Sequence, residues 1–545
     1  MNGTLGRLLG GGANVYRGSI TFKNYTEGTQ NFYNFGSNNG VNTYTYFQAQ
    51  PVPPTPGVTP AAGFYNAGSF TLGGPLPALV SSSPIPYNPT VPEAALTFNG
   101  PSYLTFNPHI KQPYVLSWSF GIQHRISQAS VLEVRYVGNV SKDQWLGVNY
   151  NEINIFENGF LKEFQNAQAN LQASGEKSFQ GPQPLPIMST AFSGAPGDFT
   201  NGRFITDIQQ GQAGAMANIL ASNPTYLCNL VGAANFSPCV ANGFSGNGGY
   251  PINFFEVNPY AAGNAIKEET NQGYSNYNSL QLDFRQRPAR GLEFDANYTL
   301  GKSMDNNYQG STAPGVYGGA GPSGAAGGSA GAYYTLRDKH LNYLPSIYDI
   351  RNMFHFSGTY DLPFGHNQWL FNQSRIANIV IGGWTIGAIL SYQSGAPEIF
   401  HGQTETVNTS DSGVVLTGLT PASLQKQMGV YHVKGHPWVD FINPKYITPQ
   451  GQANYQYISP EFTPGQFGRI LDLHTPKWIN TDMAVTKIIP IRGALTFSLQ
   501  GEFLNAFNHV AWIGGNMNLQ ATTFGSTSQT ANGPRNIELR GNFQF

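Results

Sequence analysis

Two histidines have a spacing that metal sites use. His432 and His436 are four residues apart, and on a helix this separation places two imidazoles on one face, where both can bind a zinc ion. Gly435 and Pro437 prevent a helix here, because glycine and proline are the two poorest helix formers. We therefore expect solvated loop histidines, and the sequence predicts neither a metal site nor a bound cofactor.

Two short motifs match nucleotide-binding loops. Gly319–Gly324 reads G-x-G-x-x-G, but it lies in a Gly- and Ala-rich tract without the preceding strand and following helix that a dinucleotide site requires. Ala296–Ser303 is a relaxed phosphate-binding motif, A-x-x-x-x-G-K-S, yet its Tyr298 and Leu300 belong to the apolar face of a strand. Because no carboxylate pair has acid–base spacing either, the sequence predicts no catalytic residues and a protein that is not an enzyme.

The two cysteines could form a local disulfide. Cys228 and Cys239 are the only cysteines, too few for a four-ligand zinc site and too far apart for a C-x-x-C redox pair. A disulfide requires an oxidising compartment, whereas the N-terminal segment contains no apolar run of the kind that an export signal needs. These two observations conflict if Met1 is the native start.

Composition excludes several classes of protein. Of the 545 residues only 10% are charged and 13% are aromatic, and the net charge is −1, whereas soluble proteins average about 25% charged residues. Without a basic surplus, nucleic-acid binding is not expected. A hydrophobic content of 40% argues against disorder. Segment 376–397 is uncharged, but its apolar core at 379–390 falls short of the roughly 20 residues of a membrane helix.

Alternating apolar and polar residues are the strongest pattern in the chain. Between Tyr114 and Gln123 every second residue is apolar, which is the period of a β-strand. Nine segments alternate in this way, and they start near Tyr114, Leu132, Leu280, Leu292, Phe354, Trp384, Ile479, Leu495 and Ile537. Several exceed the 5–6 residues typical of strands and approach the roughly 9–11 residues that a tilted membrane strand requires.

The connections between these strands alternate in length. The short connections are 125–129, 287–291, 363–375 and 489–493. The long connections are 139–278, 303–350, 394–477 and 507–536. Short turns on one side and long loops on the other are typical of an outer-membrane barrel. The sequence therefore predicts an all-β fold, an antiparallel up-and-down transmembrane β-barrel with long extracellular loops.

The chain divides naturally at residue 114. Residues 1–113 contain a weak first strand near 13–23, which raises the predicted total to about ten strands of a partial barrel, and a long Gly-, Pro- and Asn-rich extracellular segment. Residues 114–545 contain the other strands and their loops. Within the loops, 158–171 and 204–220 have apolar residues at helical spacing. We expect short helices there, packed on one another or over the barrel mouth.

The two faces of the predicted barrel have different surroundings. The apolar face would contact lipid, and the candidate aromatic girdle residues are Tyr114, Tyr136, Tyr360, Trp384 and Tyr392. The polar face would line a wet lumen with Glu133, Arg135, Asp283, Arg285, Glu293, Asp295 and Glu502. In the alternative, a soluble β-rich adhesin or lectin-like protein, the apolar face would be buried in a dry interior.

A series of short segments recurs in a recognisable order. They are Gln112–Gln123, Val131–Gly138, Tyr274–Leu282, Tyr348–Asn352, Asp361–Gly365, Gly501–His509 and Arg540–Phe545. With the loop segments Asn154–Phe160 and Gln210–Gly214 and both cysteines, they resemble the barrel of Oar-like TonB-dependent outer-membrane receptors.

This resemblance implies a location in the cell outer membrane and energy-coupled uptake of a bulky solute through a barrel that an N-terminal plug fills. The implied partners are outer-membrane lipid, the TonB energy-coupling complex and the barrel-assembly machinery. That machinery would read the C-terminal residues Phe545, Phe543, Leu539 and Ile537.

The chain departs from this family in its number of strands. A barrel that holds a plug has about 22 strands, and here about ten are predicted, without a plug or an export signal. We therefore expect the C-terminal barrel portion of a longer receptor, which would contact TonB through a missing N-terminal region. That region would also supply the export signal that the predicted disulfide requires.

Two other functions stay open. A surface adhesin or carbohydrate-binding outer-membrane protein would use the long loops for binding. A diffusion porin is disfavoured, because its loops are rarely as long as segment 139–278.

Overall fold

Nine antiparallel strands form the main sheet of the protein. The structure is a computed structural model that describes residues 107–259, 266–306, 333–365, 370, 379–492 and 495–545. Before residue 107 it describes only the backbone of the short strands Tyr44–Thr45, Gln48–Ala49, Phe64–Tyr65, Val80–Ser81 and Tyr103–Phe106. The main sheet consists of β1 Tyr114–Arg125, β2 Ser130–Asn149, β3 Ile266–Ala289, β4 Leu292–Asp305, β5 Asn352–Asp361, β6 Trp384–Gln393, β7 Trp478–Arg492, β8 Leu495–Leu504 and β9 Asn536–Gln544.

Each strand of the main sheet pairs with the next one along the chain, from β1 to β9. Two short strands extend the sheet: Tyr103–Phe106 lies parallel to the start of β3, and Leu344–Pro345 lies antiparallel to the end of β4. The up-and-down antiparallel arrangement is as predicted. In the part of the chain that the structure describes, β1 and β9 do not pair with each other, so these nine strands form an open sheet and not a closed barrel. The predicted strand near 13–23 lies outside the described residues.

Two strands are longer than the alternating pattern predicts. β2 continues to Asn149 and β3 begins at Ile266, so the connection between them is 150–265 instead of 139–278. In β2 the polar run 141–144 interrupts the alternation, and the β2–β3 register shifts there. Backbone pairing does not require alternating side chains, so the alternating pattern did not mark these strand ends.

The long connections contain helices and small β-ribbons. The helices are α1 Phe160–Ala173, α2 Pro186–Ala191, α3 Gly202–Gln209, α4 Ala213–Ser222, α5 Pro224–Val231, α6 Ser237–Ala241 and α7 Pro421–Gln425, with 3-10 turns at Pro196–Thr200, Ala233–Asn235, Lys339–Asn342 and Pro444–Tyr446. The paired short strands are Pro397–Phe400 with Leu471–His474, Val414–Leu416 with Ile458–Pro460, Met428–His432 with Val439–Ile442, the latter also with Ser526–Thr527, and Trp512–Ile513 with Gln529–Thr530. No helix in the described part of the chain is long and apolar enough to cross a membrane.

The predicted helical segment 204–220 is two helices. α3 ends at Gln209 and α4 begins at Ala213, and Gly211 between them has a φ of 67°. This left-handed conformation is favourable for glycine and ends the first helix. α1, α3 and α4 contribute to one hydrophobic cluster, so the helical segments pack on one another.

The hydrophobic cores of the protein lie in the loops. One cluster is built from residues between Ile153 and Phe255, and a second from residues between Phe400 and Phe524. Among the described residues of the main sheet, only Leu146 and Val148, at the loop-side end of β2, are buried hydrophobic side chains. The sheet therefore has no dry core of its own.

Contacts divide the chain into two compact units. Residues 1–97 with 237–243 form one, and residues 98–236 with 244–545 form the other. The main sheet and both hydrophobic clusters belong to the second unit, and helix α6 belongs to the first.

Candidate functional site

The polar face of the main sheet brings together side chains that are far apart in the sequence. Strand register places directly opposed residues on the same face, so they form rows across the sheet. One row is Glu133, Asp283, Asn297, His355, Ser391 and Asn480. Another is Glu293, Thr359, Gly387, Ala484, Glu502 and Glu538. All seven residues predicted to line a lumen lie on this face.

Arginines on this face are shared between carboxylates. Arg285 Nε lies 2.8 Å from Asp283 Oδ1 and 3.0 Å from Asp295 Oδ2. Arg135 pairs with Glu133 on the same strand. Exposed ion pairs of this kind contribute only about 0–1 kcal/mol each to stability. They therefore orient the side chains of the polar face and add little to the stability of the sheet.

A similar group lies at the β8–β9 edge. Arg540 Nη1 is 3.4 Å from Glu502 Oε1, and its Nη2 is 3.7 Å from Glu538 Oε2. Glu502 and Glu538 are directly opposed, and Arg540 offsets the repulsion between them. Within the described residues, Glu293 has no ion-pair partner, so it is available to a solute.

A cavity of about 820 Å³ lies over this face, within the range of about 300–1,000 Å³ typical of ligand pockets. We call it the charged cavity. Its charged lining residues are Arg285, Arg287, Glu293, Asp295, Asp482 and Glu502. Four of the seven predicted lumen residues therefore line one cavity, and Glu133, Arg135 and Asp283 lie beside it on the same face.

The apolar face of the sheet is exposed. Trp118 is 44% exposed, Phe120 69% and Leu539 75%. Packing between two sheets would have buried these side chains, as the alternative of a soluble adhesin or lectin-like protein requires. One face of the sheet is thus apolar and uncovered, while the other is polar and holds a cavity.

Four of the five predicted girdle aromatics lie near strand ends. Tyr114 and Tyr392 are at the loop side, and Tyr360 and Trp384 are at the side of the short connections. Tyr136 instead lies opposite Phe120 and Leu280, within the sheet, and its hydroxyl donates a hydrogen bond to Asn278 Oδ1 at 2.6 Å. Lys487 donates to the carbonyl of Gly382 and lies over the Trp384 ring at 5.3 Å, as cations do at a membrane interface.

The C-terminal residues lie on the exposed edge of the sheet. Ile537, Leu539 and Phe543 alternate along β9 and are 54%, 75% and 56% exposed, and Phe545 is 93% exposed. They share the apolar face, since Ile537 opposes Phe503 and Phe543 opposes Phe497.

The remaining sequence motifs lie in different places. His432 ends a loop strand, and the His436 ring stacks on Trp438 at 3.9 Å. Ala296–Ser303 is part of strand β4, and Gly319–Gly324 lies outside the described residues. Among the residues that the structure describes, no group of three His, Cys, Asp or Glu side chains could hold a metal ion. Cys228 and Cys239 are fully buried, and each is disulfide-bonded.

Sequence reasoning missed a set of buried loop carboxylates. Burial, with a smaller effect of the Asp472 charge, raises the pKa of Glu398 to about 8. Burial likewise raises the pKa of Asp472 well above its ordinary value, and neither of its carboxylate oxygens has a hydrogen-bond partner in the described structure. His474 Nε2 lies 3.1 Å from Asp349 Oδ2 nearby. No spacing in the sequence marks these residues, because they come from two loops.

A family model described as an outer membrane beta barrel domain matches residues 11–538. No curated protein matches the chain. Similar solved structures include the outer membrane transporter YddB from Escherichia coli, with 9% identity and a TM-score of 0.31 over 81% of this chain and 34% of that one.

Two further structures are similar at the same level. The pyoverdine outer membrane receptor FpvA from Pseudomonas aeruginosa PAO1, bound to pyoverdine, has 8% identity and a TM-score of 0.28, over 81% of this chain and 31% of its own. The FrpB iron transporter from Neisseria meningitidis (F3-3 variant) has 9% identity and a TM-score of 0.28, over 81% of this chain and 32% of its own. This chain spans about a third of the length of each of these structures. The family match covers nearly the whole chain, and the protein therefore belongs to the outer membrane beta barrel family and is located in the outer membrane.

Proposed function

We propose that this chain is the barrel part of an Oar-like, TonB-dependent receptor that takes up a bulky polar solute. The observation that carries the proposal is a sheet with one lipid-compatible face and one polar face, joined to long loops that fold around their own hydrophobic cores. Folded loops of this size can enclose a solute, whereas a diffusion porin needs only an open channel.

The proposal that TonB drives uptake rests on the resemblance of the sequence motifs to those of Oar-like receptors. Nine strands cannot surround a plug, which takes about 22 strands. The proposed receptor thus includes further strands and a plug, with the TonB contact in a region N-terminal to this barrel portion.

An uptake experiment tests this proposal. Cells with and without the gene, each with active or inactivated TonB, are grown on a complex medium, and solute depletion is measured by mass spectrometry. We expect one or more bulky solutes to remain in the medium when either the gene or TonB is missing. Depletion that continues without TonB would indicate a porin, and unchanged depletion with reduced surface adhesion would indicate an adhesin.

We further propose that the barrel-assembly machinery recognises Phe545, Phe543, Leu539 and Ile537. Ile537, Leu539 and Phe543 lie on β9, whose outer edge has no partner strand among the described residues, and Phe545 follows directly, so all four are available for this contact. Replacing Phe543 and Phe545 by alanine should lower the fraction of heat-modifiable, outer-membrane protein. A matched replacement of the exposed loop residues Phe507 and Val510 should leave that fraction unchanged, and an equal loss in both variants would contradict the proposal.

A further inference from the structure

A second cavity, of about 310 Å³, lies at the loop-side end of the polar face. Its top row runs across four strands, because Thr299 opposes Met353, Met353 opposes Gln393, and Gln393 opposes Trp478. Asn297, His355 and Ser391 lie in the row below. Gln393 is the last residue of β6 and Trp478 the first of β7, so the long loop 394–477 leaves and re-enters the sheet at this point. We call it the upper cavity.

The upper cavity differs in charge from the charged cavity. Among its lining residues that the structure describes, none is Lys, Arg, Asp or Glu. The polar face contributes to it one indole, two amides, an imidazole, two hydroxyls and a thioether, from Trp478, Asn297, Gln393, His355, Thr299, Ser391 and Met353. A solute that moves from the loops along this face thus meets a neutral site before a charged one.

Several polar groups of the upper cavity are available to a solute. His355 Nδ1 and Ser391 Oγ are 3.1 Å apart and orient each other. Asn297 Nδ2 donates to Asp295 Oδ1 at 2.7 Å, which leaves its carbonyl oxygen as an acceptor. Within the described residues, the side chains of Thr299 and Gln393 make no hydrogen bond of their own, so both can donate and accept.

These groups select among classes of solute. A phosphate or carboxylate group is usually bound by Arg or Lys, and neither is among the described residues that line the upper cavity. A wholly apolar solute would cover the amides of Asn297 and Gln393 without offering them hydrogen-bond partners, which is unfavourable. A sugar ring has hydroxyls at its rim, which amides can bind, and C–H groups on its faces, which can lie on the negative face of an indole.

We propose that the upper cavity binds a neutral, hydroxyl-rich solute, one sugar unit of an oligosaccharide, with the ring against Trp478 and the hydroxyls on Asn297, Thr299 and Gln393. This inference rests on the proposed function, for which it supplies the class of solute. These four side chains come from three strands: Asn297 and Thr299 from β4, Gln393 from β6 and Trp478 from β7. The site therefore exists only in the folded sheet.

Equilibrium binding tests this inference without energy coupling. The full chain is purified in detergent, and calorimetry measures its affinity for the neutral trisaccharides maltotriose, cellotriose and xylotriose, with anionic trigalacturonate as a charged probe. We expect at least one neutral trisaccharide to bind, and trigalacturonate to bind less tightly. Trp478→Ala should weaken binding about tenfold or more, and Gln393→Ala about two- to tenfold. Trp478→Phe should recover part of the loss, because it keeps an aromatic face.

Trp438→Ala is the matched control, since Trp438 lies in a loop outside this cavity, and it should bind as the unmodified protein does. Heat-modifiable migration shows that each variant is folded. The inference is overturned if no neutral trisaccharide binds the folded protein, if trigalacturonate binds more tightly, or if Trp478→Ala has no effect. Sugar binding that persists without TonB-dependent uptake would contradict only the proposed function, whereas TonB-dependent uptake without sugar binding would contradict only this inference.

Discussion

At the scale of single residues, the loops contain buried carboxylates whose pKa values are raised. Glu163 on α1 accepts hydrogen bonds from the backbone N–H groups of Ile187 and Met188, at 2.8 and 2.6 Å. Burial raises the pKa of Glu163 to about 7, although both hydrogen bonds lower it. Burial also raises the pKa of Glu256 to about 7, against the hydrogen bond from Asn151. Both residues lie in the connection between β2 and β3, which we call the helical loop. The folded helical loop therefore binds protons that the unfolded loop releases.

The sign of the resulting pH dependence follows from linkage. Because the folded-state pKa of Glu163 exceeds its ordinary value of 4.5, the folded state binds more protons between pH 4.5 and about 7, and stability falls as the pH rises through this window. We expect the helical loop to melt at a lower temperature at pH 7.5 than at pH 5, as followed by circular dichroism. Glu163→Gln should reduce this difference, and Glu176→Gln, at an exposed position just after α1, should preserve it. A melting temperature that rises with pH would contradict the assignment.

At the scale of elements, the helical loop has a core independent of the sheet. Phe164 is fully buried and packs in the cluster that spans Ile153 to Phe255. Phe164→Ala should destabilise this loop by about 3–5 kcal/mol, the usual cost of truncating a buried phenylalanine. Hydrogen exchange should become faster in α1, α3 and α4 and stay unchanged in β3 to β8.

The exposed Phe507 provides the control for that experiment. Phe507→Ala should leave exchange unchanged in both the helices and the strands. Faster exchange throughout the main sheet of the Phe164→Ala variant would show that loop and sheet unfold as one unit.

The predicted disulfide also belongs to a single element, the helical loop. A Cys228–Cys239 bond closes a loop of about a dozen residues, which the chain-entropy model values at about 3 kcal/mol. We expect a reductant to lower the melting temperature of the helical loop in the native protein. The variant with both cysteines replaced by serine should melt at this lower temperature with or without reductant. Free thiols in the non-reduced protein, detected by mass spectrometry, would contradict the pairing.

Much of the sheet could be predicted from the sequence, because each strand between lipid and water must alternate. Leu280, Leu282 and Phe284 face one way and Gln281 and Asp283 the other, and this period is visible in a single segment. The upper cavity could not be predicted. Its Thr299, Gln393 and Trp478 meet only through the register of four strands, and no local pattern encodes that register. The loop-side ends of β2 and β3 were missed because their residues no longer alternate.

At the scale of the whole molecule, the usual arrangement of polar and apolar residues is reversed in the sheet and kept in the loops. The loops bury Phe160, Phe400 and Phe441, whereas the sheet exposes Trp118 and Leu280. Both follow from the hydrophobic effect if the surroundings of the sheet are hydrocarbon and those of the loops are water. Uptake, assembly and sugar binding, as proposed above, all depend on this orientation.

Accessibility along β3 tests this orientation most directly. Single cysteines at positions 280 to 285, in the variant without native cysteines, are spin-labelled and reconstituted in lipid vesicles. Collision with oxygen, which concentrates in lipid, and with a water-soluble nickel complex is then measured. Labels at 280, 282 and 284 should collide mainly with oxygen, and labels at 281, 283 and 285 mainly with nickel. If the labels at 280, 282 and 284 are shielded from both reagents, the apolar face is packed in a protein interior and the orientation is wrong.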